Sequence, residues 1–191
     1  MFLESQINHP IQKGSIEVIC GSMFSGKTEE LLRRLKRAQF AKLDIAVFKP
    51  KIDKRYDIQK VVSHDENTIQ ATPVDSANNI LRLANKAQVV AIDEAQFFDN
   101  DLVAVVNKLA NAGVRVIIAG LDMDFLGKPF GVMPQIFAIA EHITKVHAIC
   151  IDCNGIANHS YRKTTDTALV KIGEKEEYKP LCRSCFSKKV K

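Results

Sequence analysis

Apolar and polar residues fall along the chain in blocks whose periods predict the elements. Ile16-Glu17-Val18-Ile19-Cys20 has the length and branching of a short strand, and Thr28 to Phe40 reads as a helix. Asp44-Ile45-Ala46-Val47-Phe48-Lys49-Pro50 predicts a second strand, closed by Pro50. Residues 51–75 are polar and irregular, with one short strand expected at Val61-Val62-Ser63. Ser76 is placed to cap a helix running to about Lys86. Gln88-Val89-Val90-Ala91-Ile92-Asp93 is a continuous apolar run ending in an acid, the pattern of a central parallel strand buried on both faces. Asp99 to Asn111 is helical by periodicity and is stopped by Gly113. Val114 to Gly120 is another buried strand, followed by a loop of Gly, Pro and Phe over residues 121–134. From about Ile143 the pattern changes to short strand-like pieces around paired cysteines, which puts a boundary near 142–147.

Strands alternating with helices predict right-handed βαβ units and a parallel sheet covered on both sides, with function at the carboxyl ends of the strands. The first such end carries Gly21-Ser22-Met23-Phe24-Ser25-Gly26-Lys27-Thr28, which fits G-x-x-x-x-G-K-S/T. Gly21 and Gly26 let the backbone turn tightly against phosphate oxygens, and successive N–H groups form an anion-sized nest. Lys27 brings a positive charge to the β/γ-phosphates, and the Thr28 hydroxyl is a Mg²⁺ ligand. The fold class expected is therefore α/β, a P-loop NTPase-like parallel sheet over residues 15–145. A loose leader (1–14) precedes it and a small C-terminal domain (146–191) follows.

Asp93-Glu94 ends the buried apolar run. An Asp here holds the Mg²⁺ water shell in P-loop enzymes. The next carboxylate points into the same crevice and can act as a general base on a substrate hydroxyl or on water. Phe97, Phe98, Phe125 and Phe130 lie near proposed strand ends, where rings can stack on a flat base.

Cys150-Ile151-Asp152-Cys153 and Cys182-Arg183-Ser184-Cys185 form two CxxC pairs, the ligand set of a closed tetrahedral Zn²⁺ site. The 28 residues between Cys153 and Cys182 exceed the usual ~15–20 of this pattern, so a zinc ribbon with an enlarged, lid-like loop is expected. His147 and His159 then read as surface or loop residues, and His9 and His64 have no visible partner. Cys20 reads as a small buried core residue.

The net charge of +5 mildly favours anionic ligands. Basic residues are dispersed, apart from Arg33-Arg34-Leu35-Lys36-Arg37, expected on the solvent face of its helix, and Lys188-Lys189. This is not the basic stripe with interleaved aromatics of a nucleic-acid binder. No apolar stretch approaches the ~18 residues of a membrane span, and MFLESQINHPIQKG lacks the pattern of a signal peptide. A cytoplasmic location with no membrane partner is expected.

GSMFSGKT at 21–28, DEAQFF at 93–98, LDMDFLGKPFG at 121–131 and the cysteine pairs, in this order, resemble the cellular-type (type II) thymidine kinases from about Gly14 to Phe186. The resemblance implies Mg-ATP-dependent phosphorylation of the 5′-hydroxyl of thymidine, with deoxyuridine as an alternative acceptor. It implies that Gly21 to Thr28, Asp53, Arg55, Asp93, Glu94, Ala95 and Gln96 serve ATP, that Thr28 and Asp93 serve Mg²⁺, and that Glu94 is the catalytic base. It further implies a thymine pocket of Met23, Phe97, Leu121, Phe125 and Phe130. It implies a lasso that closes on the nucleoside through Leu169, Val170, Lys171, Ile172 and Gly173, with Ser160 before it and Tyr178 beyond. Met123-Asp124 stands where smaller or hydroxyl residues are common in that family. The family also implies a homotetramer inhibited by dTTP, and no nucleic-acid partner. The competing readings are a P-loop ATPase whose zinc ribbon grips nucleic acid, with Glu94 activating water, and a nucleotide-binding regulatory subunit.

Overall fold

The structure, a computed structural model, describes residues 14–53, 60–62, 68–164 and 177–190. In chain order it contains β1 (Ser15–Cys20), α1 (Lys27–Phe40), β2 (Ile45–Pro50), β3 (Lys60–Val62), β4 (Thr68–Gln70), β5 (Thr72–Val74), α2 (Ala77–Leu83) and β6 (Val89–Ile92). There follow α3 (Asp101–Asn111), β7 (Arg115–Gly120), α4 (Met133–Ile139) and β8 (His142–Lys145). The C-terminal part holds β9 (Ala148–Ile149), β10 (Ile156–Ala157), β11 (His159–Arg162), β12 (Tyr178–Leu181) and α5 (Arg183–Ser187).

Six strands form one sheet in the order β5-β2-β6-β7-β1-β8, every pair parallel. The strand pleat sends alternate residues to opposite faces. Ile16, Val18, Cys20, Val90, Ile92, Val116 and Ile118 meet α2, α3 and α4 through Ile80, Leu102, Val105, Met133 and Ile136. Ile19, Val89, Ala91, Ile117 and Ala119 meet α1 through Leu31, Leu32, Leu35 and Ala38. Burial on both faces is what the unbroken apolar runs predict, and each fully buried Leu or Ile contributes about 1.5–3 kcal/mol. Cys20 lies in this core, as expected, and its burial pushes the thiol up to about 11.

Besides β4 and α5, the sequence reading missed three elements that shape the main sheet and its cover. Strand β5 contains Pro73, which an edge strand tolerates because one side of its ladder is unpaired. Helix α4 begins with a proline in its first turn, where an N–H needs no intrahelical partner; the residues around it looked like loop. Strand β8 is largely exposed and pairs with β1, so the change of pattern at Ile143 falls inside the main sheet. The strand expected at 61–63 is β3, paired antiparallel with β4. Helix α2 ends at Leu83, short of Lys86.

Arg34 is also a correction. It does not share the solvent face of α1 but is 3% exposed. Three residues after Leu31 and four before Ala38, it sits on the buried stripe. It pairs with Glu17 of β1 at 2.7 Å and with Glu30 at 2.8 Å. Its Nη2 also donates to Thr144 Oγ1 of β8 at 2.9 Å, tying helix, central strand and edge strand together.

Candidate active site

Strands β6, β7 and β1 are neighbours, with Ile92 opposite Ile118 and Gly120 opposite Cys20. Their carboxyl ends therefore open at one edge of the sheet, as the topology rule requires. The loop after β1 enters α1 directly. Its conformation depends on residues with positive φ: Gly21 at 148°, Phe24 at 63° and Gly26 at 83°. A Cβ on Gly21 would lie 2.1 Å from Val146 O, so only glycine fits there. Lys27 Nζ donates to Ser22 O at 2.8 Å, and Ser25 Oγ donates to the same carbonyl at 2.7 Å. Alternating backbone conformations at a helix N-terminus, with a lysine folded over them, make an anion-binding nest.

Beyond β6, Asp93 is buried and its N–H donates to Phe48 O of β2. Glu94 adopts the left-handed conformation, φ 52° and ψ 42°, a strain of about 1–3 kcal/mol for a non-glycine residue. Asp93 Oδ1 accepts from Glu94 N at 2.9 Å, and Gln96 Nε2 donates to Glu94 Oε2 at 2.5 Å. Asp53 follows the end of β2 as a buried turn residue, its N–H donating to Pro50 O. Asp122, at the end of β7, is buried with Lys145 Nζ 2.7 Å from its Oδ2.

The aromatic residues gather on the β6 and β7 side of this edge. Phe97 meets Phe130 edge to face at 5.8 Å. Between β7 and α4 the chain folds into a tight turn. Asp124 Oδ1 accepts from Leu126 N and Lys128 N, both at 2.9 Å, and Phe130 N donates to Asp122 O. Asp124 is thus the internal cap of this turn, and it fixes where Phe125 and Phe130 stand.

Sequence reasoning missed Arg162. It is buried on β11, opposite Tyr178 of β12. Its guanidinium carbon lies 3.7 Å from the Phe125 centroid, and its Nε and Nη2 donate to Tyr178 Oη at 3.0 and 2.8 Å. In the sequence it is one more basic residue before Lys163; only the β11-β12 pairing exposes its role. Ser160, on the same strand, accepts from Met23 N at 2.9 Å and so joins this strand to the phosphate loop. Phe24 packs on the small core of Ala148, Cys150, Ala157, Leu181 and Phe186. His159 is a further correction: it is 3% exposed and stacks on Phe186 at 4.4 Å. Burial, with Arg183 and Lys145 nearby, lowers its pKa. His147 is exposed, as expected.

The Sγ atoms of Cys150, Cys153, Cys182 and Cys185 all lie within 4.8 Å of one another. Cys153 and Cys182 sulfurs are 3.6 Å apart, too long for a disulfide and close to the about 3.8 Å edge of a tetrahedron with metal–sulfur bonds of about 2.3 Å. Cys185 N points at Cys182 Sγ at 3.4 Å, a contact that favours thiolate. The set fits a closed four-thiolate metal site. Of the other expected site residues, Arg55 and Leu169 to Gly173 lie outside the described residues.

A nest opening a helix, set beside carboxylates on a neighbouring strand end, is how P-loop proteins hold nucleotide phosphates, and this chain is a P-loop α/β protein. The sequence narrows this further. Residues 14–186 match the family described as thymidine kinase, and the chain belongs to that family. It is 57% identical over 190 residues to a thymidine kinase of Porphyromonas gingivalis, covering 98% of this chain and 93% of that one. It is 55% identical over 186 residues to a thymidine kinase of Bacteroides thetaiotaomicron (97% and 94% covered), and 57% identical over 180 residues to one of Rhodothermus sp. (94% and 84% covered). No helix among the described residues is long and apolar enough to cross a membrane.

Proposed function

We propose that this chain transfers the γ-phosphoryl group of ATP to the 5′-hydroxyl of thymidine, with deoxyuridine as a second acceptor. The observation that carries the reading is the carboxylate pair at the end of β6, one strand from β7 and two from the phosphate loop, in a chain of the thymidine kinase family. Glu94 takes the 5′-hydroxyl proton while that oxygen attacks the γ-phosphorus. The bond from the γ-phosphorus to the β,γ-bridging oxygen breaks, and ADP leaves. The loop N–H groups and Lys27 hold the phosphates, with Asp53, Arg55, Ala95 and Gln96 on the ATP side. Thr28 and Asp93 are the residues to hold Mg²⁺, which neutralises phosphate charge when bound.

Met23, Leu121, Phe97, Phe125 and Phe130 form the thymine pocket. The long loop between the cysteine pairs closes over the nucleoside with Leu169, Val170, Lys171, Ile172 and Gly173, and Ser160 and Tyr178 stand at its base. The four cysteines bind structural Zn²⁺ in a C-terminal domain of residues 146–191. A homotetramer inhibited by dTTP, and a cytoplasmic location, belong to the same reading.

The test is a nucleoside panel with Mg-ATP, following monophosphate formation. Thymidine is expected to be turned over, and Glu94→Gln to abolish turnover while still binding ATP. A Glu94→Gln protein with near-normal turnover removes the base assignment. ATP hydrolysis stimulated by DNA, without nucleoside phosphorylation, selects the ATPase reading instead. Elemental analysis is expected to find about one zinc per chain.

A further inference from the structure

We infer that Gln96 is a positioning residue for Glu94: its side-chain amide is a strut that fixes the base carboxylate to the end of β7. The inference rests on the kinase reading above and adds a residue to it.

The geometry is specific. Gln96 is 3% exposed. Its Oε1 accepts from Leu121 N at 2.9 Å, and its Nε2 donates to Glu94 Oε2 at 2.5 Å. A backbone N–H can only donate, so it selects the amide oxygen, and the amide nitrogen is left for the carboxylate. The orientation of the amide is therefore forced by its partners. Neither Asn nor Glu can replace it: Asn is one methylene shorter, and an ionised Glu offers no donor to Glu94.

The surroundings are shaped around this side chain. A Cβ at Gly120 would lie 2.9 Å from Gln96 Oε1 and 2.8 Å from Met133 Sδ. A Cβ at Gly131, where φ is 52°, would lie 2.4 Å from the Gln96 carbonyl oxygen. Two glycines on two different segments thus leave room for one residue. Gln96 is fixed at the backbone by the turn over Ala95–Phe97 and at the side chain by β7. Glu94, in contrast, stands in a strained left-handed conformation at the opening of that turn. A strained residue holds its place only when its surroundings over-determine it. Asp93 Oδ1 fixes its backbone N–H, and Gln96 fixes its carboxylate.

The strut also joins the two halves of the site. Leu121 is a proposed wall of the thymine pocket, and its N–H is the far anchor of the amide. The hydroxyl to be activated belongs to the nucleoside against that wall. A base tied to the wall keeps its distance to the acceptor oxygen, which is the requirement for efficient proton transfer.

The experiment compares the full-length zinc-loaded enzyme with Gln96→Glu, Gln96→Leu and Glu94→Gln. Both substrates are varied, so that kcat and each KM are read separately, and melting is followed. Gln96→Glu keeps the shape and the acceptor for Leu121 N but sets two carboxylates face to face, beside the Asp93 common to all variants. The expected result is a kcat at pH 7 lower by about tenfold to a hundredfold, with KM for thymidine changed by less than about threefold. Gln96→Leu, which keeps neither hydrogen bond, loses kcat to at least the same extent, again with KM for thymidine nearly unchanged.

If Glu94→Gln is inactive but Gln96→Glu and Gln96→Leu keep wild-type kcat, the positioning role is overturned and the base assignment stands. Near-normal turnover by Glu94→Gln overturns both. Loss of folded protein in both Gln96 variants, or equal damage to kcat and the two KM values, marks Gln96 as structural and overturns the inference.

Discussion

Arg162→Met tests whether the nucleoside pocket is held from behind. The guanidinium carbon lies 3.7 Å from the Phe125 centroid, and the same group donates twice to Tyr178 Oη. At 5% exposure, water does little to weaken these contacts. A desolvated cation–π contact is worth about 2 kcal/mol, and a hydrogen bond from a charged donor about 1.5–3 kcal/mol. Methionine keeps most of the apolar stem and removes both. Relieving a buried charge returns part of the loss, so the net effect is about 2 kcal/mol. If that energy holds Phe125 and Tyr178 in the binding geometry, KM for thymidine rises about 30-fold. The phosphate loop meets this ribbon at Ser160 and not through Arg162, so KM for ATP changes by less than about twofold. Steady-state phosphorylation with each substrate varied, beside a melting curve, measures this. Arg162→Lys keeps a charge without the planar fork and is expected to fall between. An unchanged KM for thymidine in a folded Arg162→Met protein, or equal rises for both substrates, refutes the reasoning.

The remaining predictions concern stability, reactivity and the metal. Burial opposes ionisation of Glu17, but Arg115 and Arg34 outweigh it and lower its carboxyl below 4.5. Its stabilising contribution is therefore complete above that value and lost as pH falls through the lower folded-state pKa. Glu17→Gln is expected to melt lower at pH 7, by about 3 kcal/mol of stability, and to show a flatter acid dependence; parallel melting curves from pH 7 to 3 would contradict the pairing. Gly131→Ala places a Cβ 2.4 Å from Gln96 O at φ 52°, so urea unfolding should show a loss of about 2 kcal/mol or more, and wild-type stability would refute the packing. Cys20, its thiol pushed up to about 11, should resist iodoacetamide at pH 8 until the protein is denatured; mass spectrometry showing labelling at the rate of a free thiol would count against its burial. Chelating the metal should raise KM for ATP as well as for thymidine, and an effect on thymidine alone would separate the metal site from the phosphate loop.

The sheet was legible in the sequence wherever strands are buried on both faces. Residues 89–92 and 116–119 are unbroken apolar runs, and they fall in β6 and β7. Edge strands escaped because exposure removes the run: β8 is mostly solvent-facing and β5 is three residues with a proline. The glycine loop and the cysteine pairs were legible because their chemistry demands fixed residue types at fixed spacing. Arg34, His159 and Arg162 were not. Each owes its burial to a partner far off in sequence: Glu17 to Arg34, Phe186 to His159, and Phe125 to Arg162. Gln96 appeared as one position of an acidic motif. Its bond to Leu121 exists only once β6 and β7 lie side by side.

The cysteine cluster and the phosphate loop form one mechanical unit. Phe24, in the left-handed region at φ 63°, packs against the small core that holds Cys150, while its neighbour Met23 donates to Ser160 of β11. Gly21 abuts Val146 O, just beyond β8. Three contacts within four residues thus tie the loop to the segment that carries the thiolates. A nest binds phosphate only when its N–H groups are already arranged. Among the described residues the core on which Phe24 rests has five buried residues, one of them a cysteine of the cluster, and a core that small has little stability of its own. A metal held by the four cysteines, as proposed above, would therefore support the conformation of the loop itself. The same strand pair holds Ser160 against Met23 and Arg162 against Phe125, so under the proposed function one ribbon fixes the ATP side and the acceptor side together. A kinase needs this arrangement more than an ATPase does. Water reaches a γ-phosphate without a pocket, whereas a nucleoside hydroxyl must be presented in line and shielded from competing water.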